Sequence, residues 1–193
     1  MHLSKELLGG IGVGLTLIGY AFYFHDIFFG RTKPHAFSWF LWALLAAIGF
    51  AAQVTGQAGP GAWAIGLDAV VCSIMFVLAL FKGEKGYVLS DWIALFATLA
   101  AILLWRITGT PVLSVILIVI IDAFAFYPTV RKSVQKPYEE AASLYALCSL
   151  KFVFVLLALE HYSLITALYP FCLIFMNAGF VALLMVRRTR MAH

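Results

Sequence analysis

Three ionisable residues, Asp68, Asp122 and Lys151, stand inside apolar runs of this 193-residue chain. If each run is a helix rising ~1.5 Å per residue, Asp68 lies ~9 Å along helix three from its outer end, Asp122 ~15 Å along helix five and Lys151 ~12 Å inward on helix six, so their depths overlap. A lone charge near the middle of a bilayer costs ~2.5 to 3.5 kcal/mol on the insertion scale, so Lys151 is expected to face Asp122 or Asp68 and not lipid. Asp122, on the neighbouring run, is the expected partner, which leaves Asp68 facing a central cavity. Two carboxylates and one ammonium leave one acid without a counter-charge, and such an acid can exchange a proton and couple it to another event. The same three residues also read as a structural ion pair plus a protonated acid lining a water-filled vestibule.

Other residue types fit fewer chemistries. His2, His25, His35, His161 and His193 never fall at a metal-ligand spacing, and Cys72, Cys148 and Cys172 all lie in apolar runs, so neither a metal site nor a disulfide framework is expected. No cofactor fingerprint and no Ser-His-Asp order is present, so the chain is not expected to be an enzyme. A retinal Schiff base would use a desolvated Lys, but the seventh run, where microbial rhodopsins carry it, has none. Gly9-Gly10-Ile11-Gly12-Val13-Gly14 follows no strand and is no phosphate cradle; Gly10 and Gly14, four residues apart, read as a helix-packing face. Tyr23, Trp39, Trp42, Tyr127 and Tyr145 read as an interfacial aromatic belt or as a solute-stacking wall.

The elements that carry these residues follow from composition. Apolar residues make up 64% of the chain, and only 13 are basic and 9 acidic, far from the pattern of a soluble domain. The mean hydropathy is +1.00. Apolar runs extend over Leu7–Phe29, Phe37–Thr55, Ala62–Phe81, Trp92–Ile107, Val112–Val130, Ala141–Leu159 and Tyr162–Val186, which predicts an all-α polytopic membrane protein of seven transmembrane helices. The shortest run is bracketed by Asp91 and Arg106, with Trp92 and Trp105 suited to the two interfaces. Short turns separate the runs, including Gly30 to Pro34, Gly56 to Gly61, Lys82 to Gly86 and Thr108 to Pro111. The first run follows Lys5 but ends in Tyr23-Phe24-His25-Asp26 without a small-residue cleavage site, so a retained helix is expected.

Seven spans gather Arg31, Lys33, Lys82, Lys85, Arg131, Lys132, Lys136, Arg187, Arg188 and Arg190 on one side and leave Lys5 and Arg106 on the other. That asymmetry predicts a protein of the cell inner membrane with its N-terminus outside and its C-terminus in the cytoplasm. Orientation then accounts for the net charge of +4, and no nucleic-acid partner is expected. The expected partners are the lipid bilayer and a small polar solute, and oligomerisation is left open.

An internal repeat is visible at an offset of 103 residues. Tyr23-Phe24, Lys33-Pro34 and Leu41-Trp42-Ala43-Leu44 align without gaps on Phe126-Tyr127, Lys136-Pro137 and Leu144-Tyr145-Ala146-Leu147. Two parallel three-helix repeats, residues 1–82 and 111–193, are thus expected to be joined by an inverting fourth helix within 83–110. In this setting Phe126-Tyr127-Pro128-Thr129-Val130-Arg131-Lys132-Ser133 resembles the PQ-loop signature, and the layout is similar to the SWEET and PQ-loop transporter group. Thr129 stands where that motif has glutamine, and His25-Asp26 stands where the first copy would have Pro-Gln. The resemblance therefore implies a proline hinge at Pro128 alone. It also implies that Asn177 faces a central pocket, with Cys72 at the nearest position of the third helix, and that Trp42 and Tyr145, at one repeat position, wall it. The function so implied is alternating-access transport of a small solute, with proton coupling as an option. A receptor, adaptor or scaffold using the same bundle is the alternative. Aromatics with Asn177 suit a sugar, Lys151 an anion, and Asp68 or Asp122 a cation.

Overall fold

A computed structural model describes residues 3–108 and 111–191. Gly109 and Thr110 of the fourth turn, together with His2 and His193, lie outside the described residues, as does the side chain of Trp105. The described chain contains seven α-helices: α1 (Lys5–Phe28), α2 (Ala36–Thr55), α3 (Trp63–Lys82), α4 (Leu89–Thr108), α5 (Pro111–Gln135), α6 (Ala142–Ala158) and α7 (Leu164–Met191). Two 3₁₀ turns, Gly59–Ala62 and Pro137–Glu139, precede α3 and α6. Each helix coincides with one apolar run, because a helix satisfies its backbone N–H and C=O groups within the segment. The main extensions are at α5 and α7, which continue about one turn past the apolar stretch into basic residues. Ser4 caps α1 by accepting from the Leu7 N–H at 3.2 Å. Gly30, at φ 70°, turns the chain out of the same helix.

Helices adjacent in sequence are not always adjacent in space. α3 packs against both α1 and α2, and α7 packs against both α5 and α6; α1 lies on α6, α2 on α5, and α4 mainly on α5. Polarity is distributed in the reverse of a soluble protein. The outer surface carries Leu17, Phe22, Val70, Ile74, Phe96, Leu103, Phe124 and Phe175, while Asp68, Asp122, Lys151, Glu140, His35, Gln53 and Asn177 are buried. Among the described residues, four helices are long and apolar enough to cross a membrane: α1, α2, α3 with its preceding 3₁₀ turn, and α7. The protein is thus all-helical with the surface of an integral membrane protein.

Three expectations are corrected here. A side chain at Gly10 or Gly14 would meet nothing within 4 Å, whereas a Cβ at Gly9 would lie 2.7 Å from the Pro60 carbonyl oxygen, so the close-packing glycine of α1 is Gly9. Tyr23, Trp39 and Tyr145 are buried and form no interfacial belt, while Tyr127 is exposed. Finally, of the bend or end expected of helix five at Pro128, the helix does not end there, since α5 continues to Gln135. The next residue, Thr129, donates from Oγ1 to Ser38 Oγ of α2 at 3.0 Å, with both residues buried, and ties this part of α5 to α2.

Candidate functional site

A cavity of about 70 Å³ lies at the centre of the bundle. Tyr20 reaches it from α1; Trp39, Trp42 and Ala46 from α2; Asp68 and Cys72 from α3. Asp122 and Phe126 come from α5, Tyr145, Cys148 and Lys151 from α6, and Tyr169, Leu173 and Asn177 from α7. Seven of the eight residues singled out from the sequence therefore converge on one space: Trp42, Asp68, Cys72, Asp122, Tyr145, Lys151 and Asn177. Pro128 does not line it. Among the described residues, none of those lining it comes from α4.

The charge pairing differs from expectation. Lys151 Nζ lies 2.5 Å from Asp68 Oδ1 and 2.6 Å from Asp68 Oδ2, not against Asp122. Tyr20 adds a second donor to Asp68, with its hydroxyl 3.1 Å from Oδ1 and 3.3 Å from Cys72 Sγ. The ammonium also stands 5.5 Å from the Tyr20 ring centroid and 4.8 Å from that of Phe152. The packing order gives the reason. Because α7 contacts both α5 and α6, those two consecutive helices make little contact with each other, while α1 brings α3 and α6 together. The acid left over is Asp122: its side chain is buried, and among the described residues neither carboxylate oxygen has a hydrogen-bond partner.

The remaining lining residues form an aromatic wall with few free donors. Trp42 lies edge-on to Trp39, with centroids 5.2 Å apart, and tilted against Phe126 at 5.1 Å. Tyr145 packs on Phe126 at 5.8 Å and on Phe180 at 4.4 Å. Asn177 donates from Nδ2 to the Leu173 carbonyl at 2.8 Å, within its own helix.

At the basic end of the molecule the space is closed by a polar network that the sequence reading did not find. Glu140, just before α6, is buried and accepts from the Tyr23 hydroxyl at 3.1 Å, from the Tyr145 hydroxyl at 3.2 Å and from Lys132 Nζ. Lys132 also donates to the Lys33 carbonyl, and Arg188 donates to the Glu140 carbonyl at 2.6 Å. Beside it, Asp91 takes a two-point contact from Arg131, at 3.0 and 2.9 Å, and meets His35 Nε2 at 3.3 Å. Burial lowers the His35 pKa to about 4, and Lys132 and Arg131 push the same way against the pull of Asp91. Glu84 bridges the same loops. Burial works against its carboxylate, but the Gly86 N–H at 2.9 Å and Lys136 at 3.1 Å outweigh it and hold the pKa near about 2.

Each member of this network flanks a short loop, where charged residues ordinarily stay in water. The available signal was the sequence Arg131-Lys132 followed, across Lys136-Pro137, by Glu139-Glu140: opposite charges placed on the two sides of one turn. At the other end, Gln53 donates to the Thr166 carbonyl at 3.1 Å and Lys5 to that of Leu157 at 2.7 Å. Set against protein-family models, characterised proteins and solved structures, the chain matches none, so the chemistry of the cavity rests on its own residues.

Proposed function

We propose that the protein is a small-solute transporter or facilitator that spans the inner membrane seven times, with its N-terminus outside and its basic C-terminus in the cytoplasm. The solute binds between two three-helix units in the central cavity. The observation that carries this reading is the convergence of side chains from six helices on one central space, five of the helices contributing a buried polar or charged group, inside a bundle whose exterior is apolar. Polar groups at such depth are costly and are characteristic of solute and ion pathways.

The duplicated layout has support beyond the aligned dipeptides. The contact of α3 with α1 and α2 has its counterpart in the contact of α7 with α5 and α6, and the α1–α6 contact has its counterpart in that of α5 with α2. The two Lys-Pro turns meet at one end, where the Lys33 N–H donates to the Glu139 carbonyl at 3.2 Å. Under this reading α4 is the inverting connector. Pro128, nearly two turns of α5 from Asp122 and beside the basic loop, is the joint about which the cytoplasmic end of that helix moves.

Uptake into liposomes of a panel of neutral, anionic and cationic metabolites tests the proposal. Saturable flux of at least one class, reduced by substitution of Trp42 or Asn177, is the expected result. A stably folded protein that moves none of them, against unit-potential and pH gradients of either sign, would point to the receptor or scaffold role.

A further inference from the structure

Within the proposed transport reading, and resting on its assignment of the cavity as the solute site, the geometry points to a small organic ammonium ion as the ligand, seated on Asp122. Lys151 and Asp68 satisfy each other, with both carboxylate oxygens within 2.6 Å of the ammonium and a tyrosine hydroxyl added. Asp122 is 1% exposed, and among the described residues neither of its oxygens is hydrogen-bonded. The cavity therefore contains one carboxylate in excess. Buried polar groups are nearly always paired, and an unpaired buried acid gives up its charge, so a cationic ligand is what would hold this carboxylate ionised.

Among the described residues the wall holds no second cation. Lys151 and Tyr20 are directed at Asp68, Tyr145 at Glu140, and the Asn177 amide at Leu173. What the wall does supply is aromatic surface: Trp42 and Phe126, 5.1 Å apart, line the cavity with Asp122. Such faces attract an alkylammonium and give its methyl groups an apolar surround. A hard alkali or alkaline-earth ion would need a shell of oxygens that these aromatic faces do not offer. Size narrows the class. The cavity is about 70 Å³, roughly half the 150 Å³ of an engineered cavity that takes up benzene. At this volume it has room for an ion of methylammonium size, not for a sugar.

Isothermal titration of the purified full chain in nanodiscs with methylammonium chloride tests the inference. Saturable binding is expected, with methanol not bound and sodium chloride at equal ionic strength not competing. Asp122→Asn should weaken binding at least about tenfold, the loss of one charge-assisted contact, and Asp122→Glu should restore part of it. Trp42→Leu should weaken it several-fold by removing the aromatic face, and it decides the matter if Asp122→Asn does not fold. Equal binding by the Asp122→Asn and wild-type proteins, equal competition by sodium, or no saturable binding by folded wild type would overturn the site. Methylammonium binding without flux of any solute would remove the transport reading and leave the cation site standing. Flux of a neutral solute without methylammonium binding would do the reverse.

Discussion

Removing the Asp68 carboxylate strands Lys151, whereas removing that of Asp122 strands nothing in the described structure. Asp68→Asn should therefore destabilise the folded protein by about 3 to 5 kcal/mol, and the double variant Asp68→Asn, Lys151→Met should recover part of that loss because the unpaired charge is gone. Asp122→Asn should stay within about 1 kcal/mol of wild type. Thermal denaturation in detergent compares the three, and equal losses for the two single Asn variants would contradict the pairing. His35 gives a separate, pH-dependent expectation. Its pKa is about 4 in the fold and 6.5 when unperturbed, so the unfolded chain takes up a proton first as pH falls. The stability tied to this residue is complete above pH 6.5 and is lost as pH drops toward about 4, by about 3 kcal/mol in all. In His35→Gln the melting temperature should lose that slope between those two values, whatever its baseline. The sequence made Asp68, Asp122 and Lys151 visible because charges stand out against apolar runs. Their pairing was hidden because it depends on which helices touch, and Glu140, Lys132 and Asp91 were hidden because the same residues beside a loop would ordinarily be solvated.

Helices were legible almost in full, since each apolar run of 16 or more residues has one way to satisfy its backbone away from water. Their faces were less so, as α1 illustrates. Gly9, Gly10, Gly12 and Gly14 offer two stripes, and spacing alone favoured Gly10 and Gly14. Contact with the 3₁₀ turn before α3 selects the other stripe: a Cβ on Gly9 would lie 2.7 Å from the Pro60 oxygen and 2.8 Å from its Cβ, while one on Gly10 would face open space. Gly9→Ala should consequently cost about 1 to 3 kcal/mol through overpacking against backbone that cannot move aside cheaply. Gly10→Ala should be neutral or stabilise the helix by up to about 1 kcal/mol. Paired melting curves read the difference, and equal behaviour of the two variants would remove this account of the α1 face. At Pro128 the sequence signal was real but incomplete. Proline removes a donor and disfavours the helix, yet the surrounding helices and the Thr129–Ser38 bond hold α5 continuous to Gln135, which only tertiary packing could decide.

The bundle has two unlike ends, and the proposed orientation and transport cycle both rest on that difference. Lys33, Lys85, Arg131, Lys132, Lys136, Arg187 and Arg188 belong to the end closed by Glu84, Asp91, Glu139 and Glu140. If basic residues mark the cytoplasmic face, a cysteine at the exposed position Lys85, in the loop after α3, should react with an impermeant label in inside-out vesicles and not in intact cells. Labelling from outside the cell would reverse the orientation. The same end offers a direct view of gating. Glu140 joins Tyr23 of α1, Tyr145 of α6 and Lys132 of α5, so a cytoplasmic opening of the cavity must break this node. Cys148 lines the cavity beyond the node, and with Cys72 and Cys172 replaced by Ser it becomes a single reporter of access. Glu140→Ala releases both tyrosine hydroxyls and leaves Lys132 without its counter-charge, which favours the open form. The rate at which an impermeant thiol reagent modifies Cys148 from the cytoplasmic side should then rise about tenfold for each 1.4 kcal/mol by which opening is eased. The rate from the outer side, behind the Gln53–Thr166 contact, should stay the same or fall, because states open to opposite sides compete for one population. An unchanged cytoplasmic rate in a folded Glu140→Ala protein would show that the barrier to the cavity lies elsewhere than in this network.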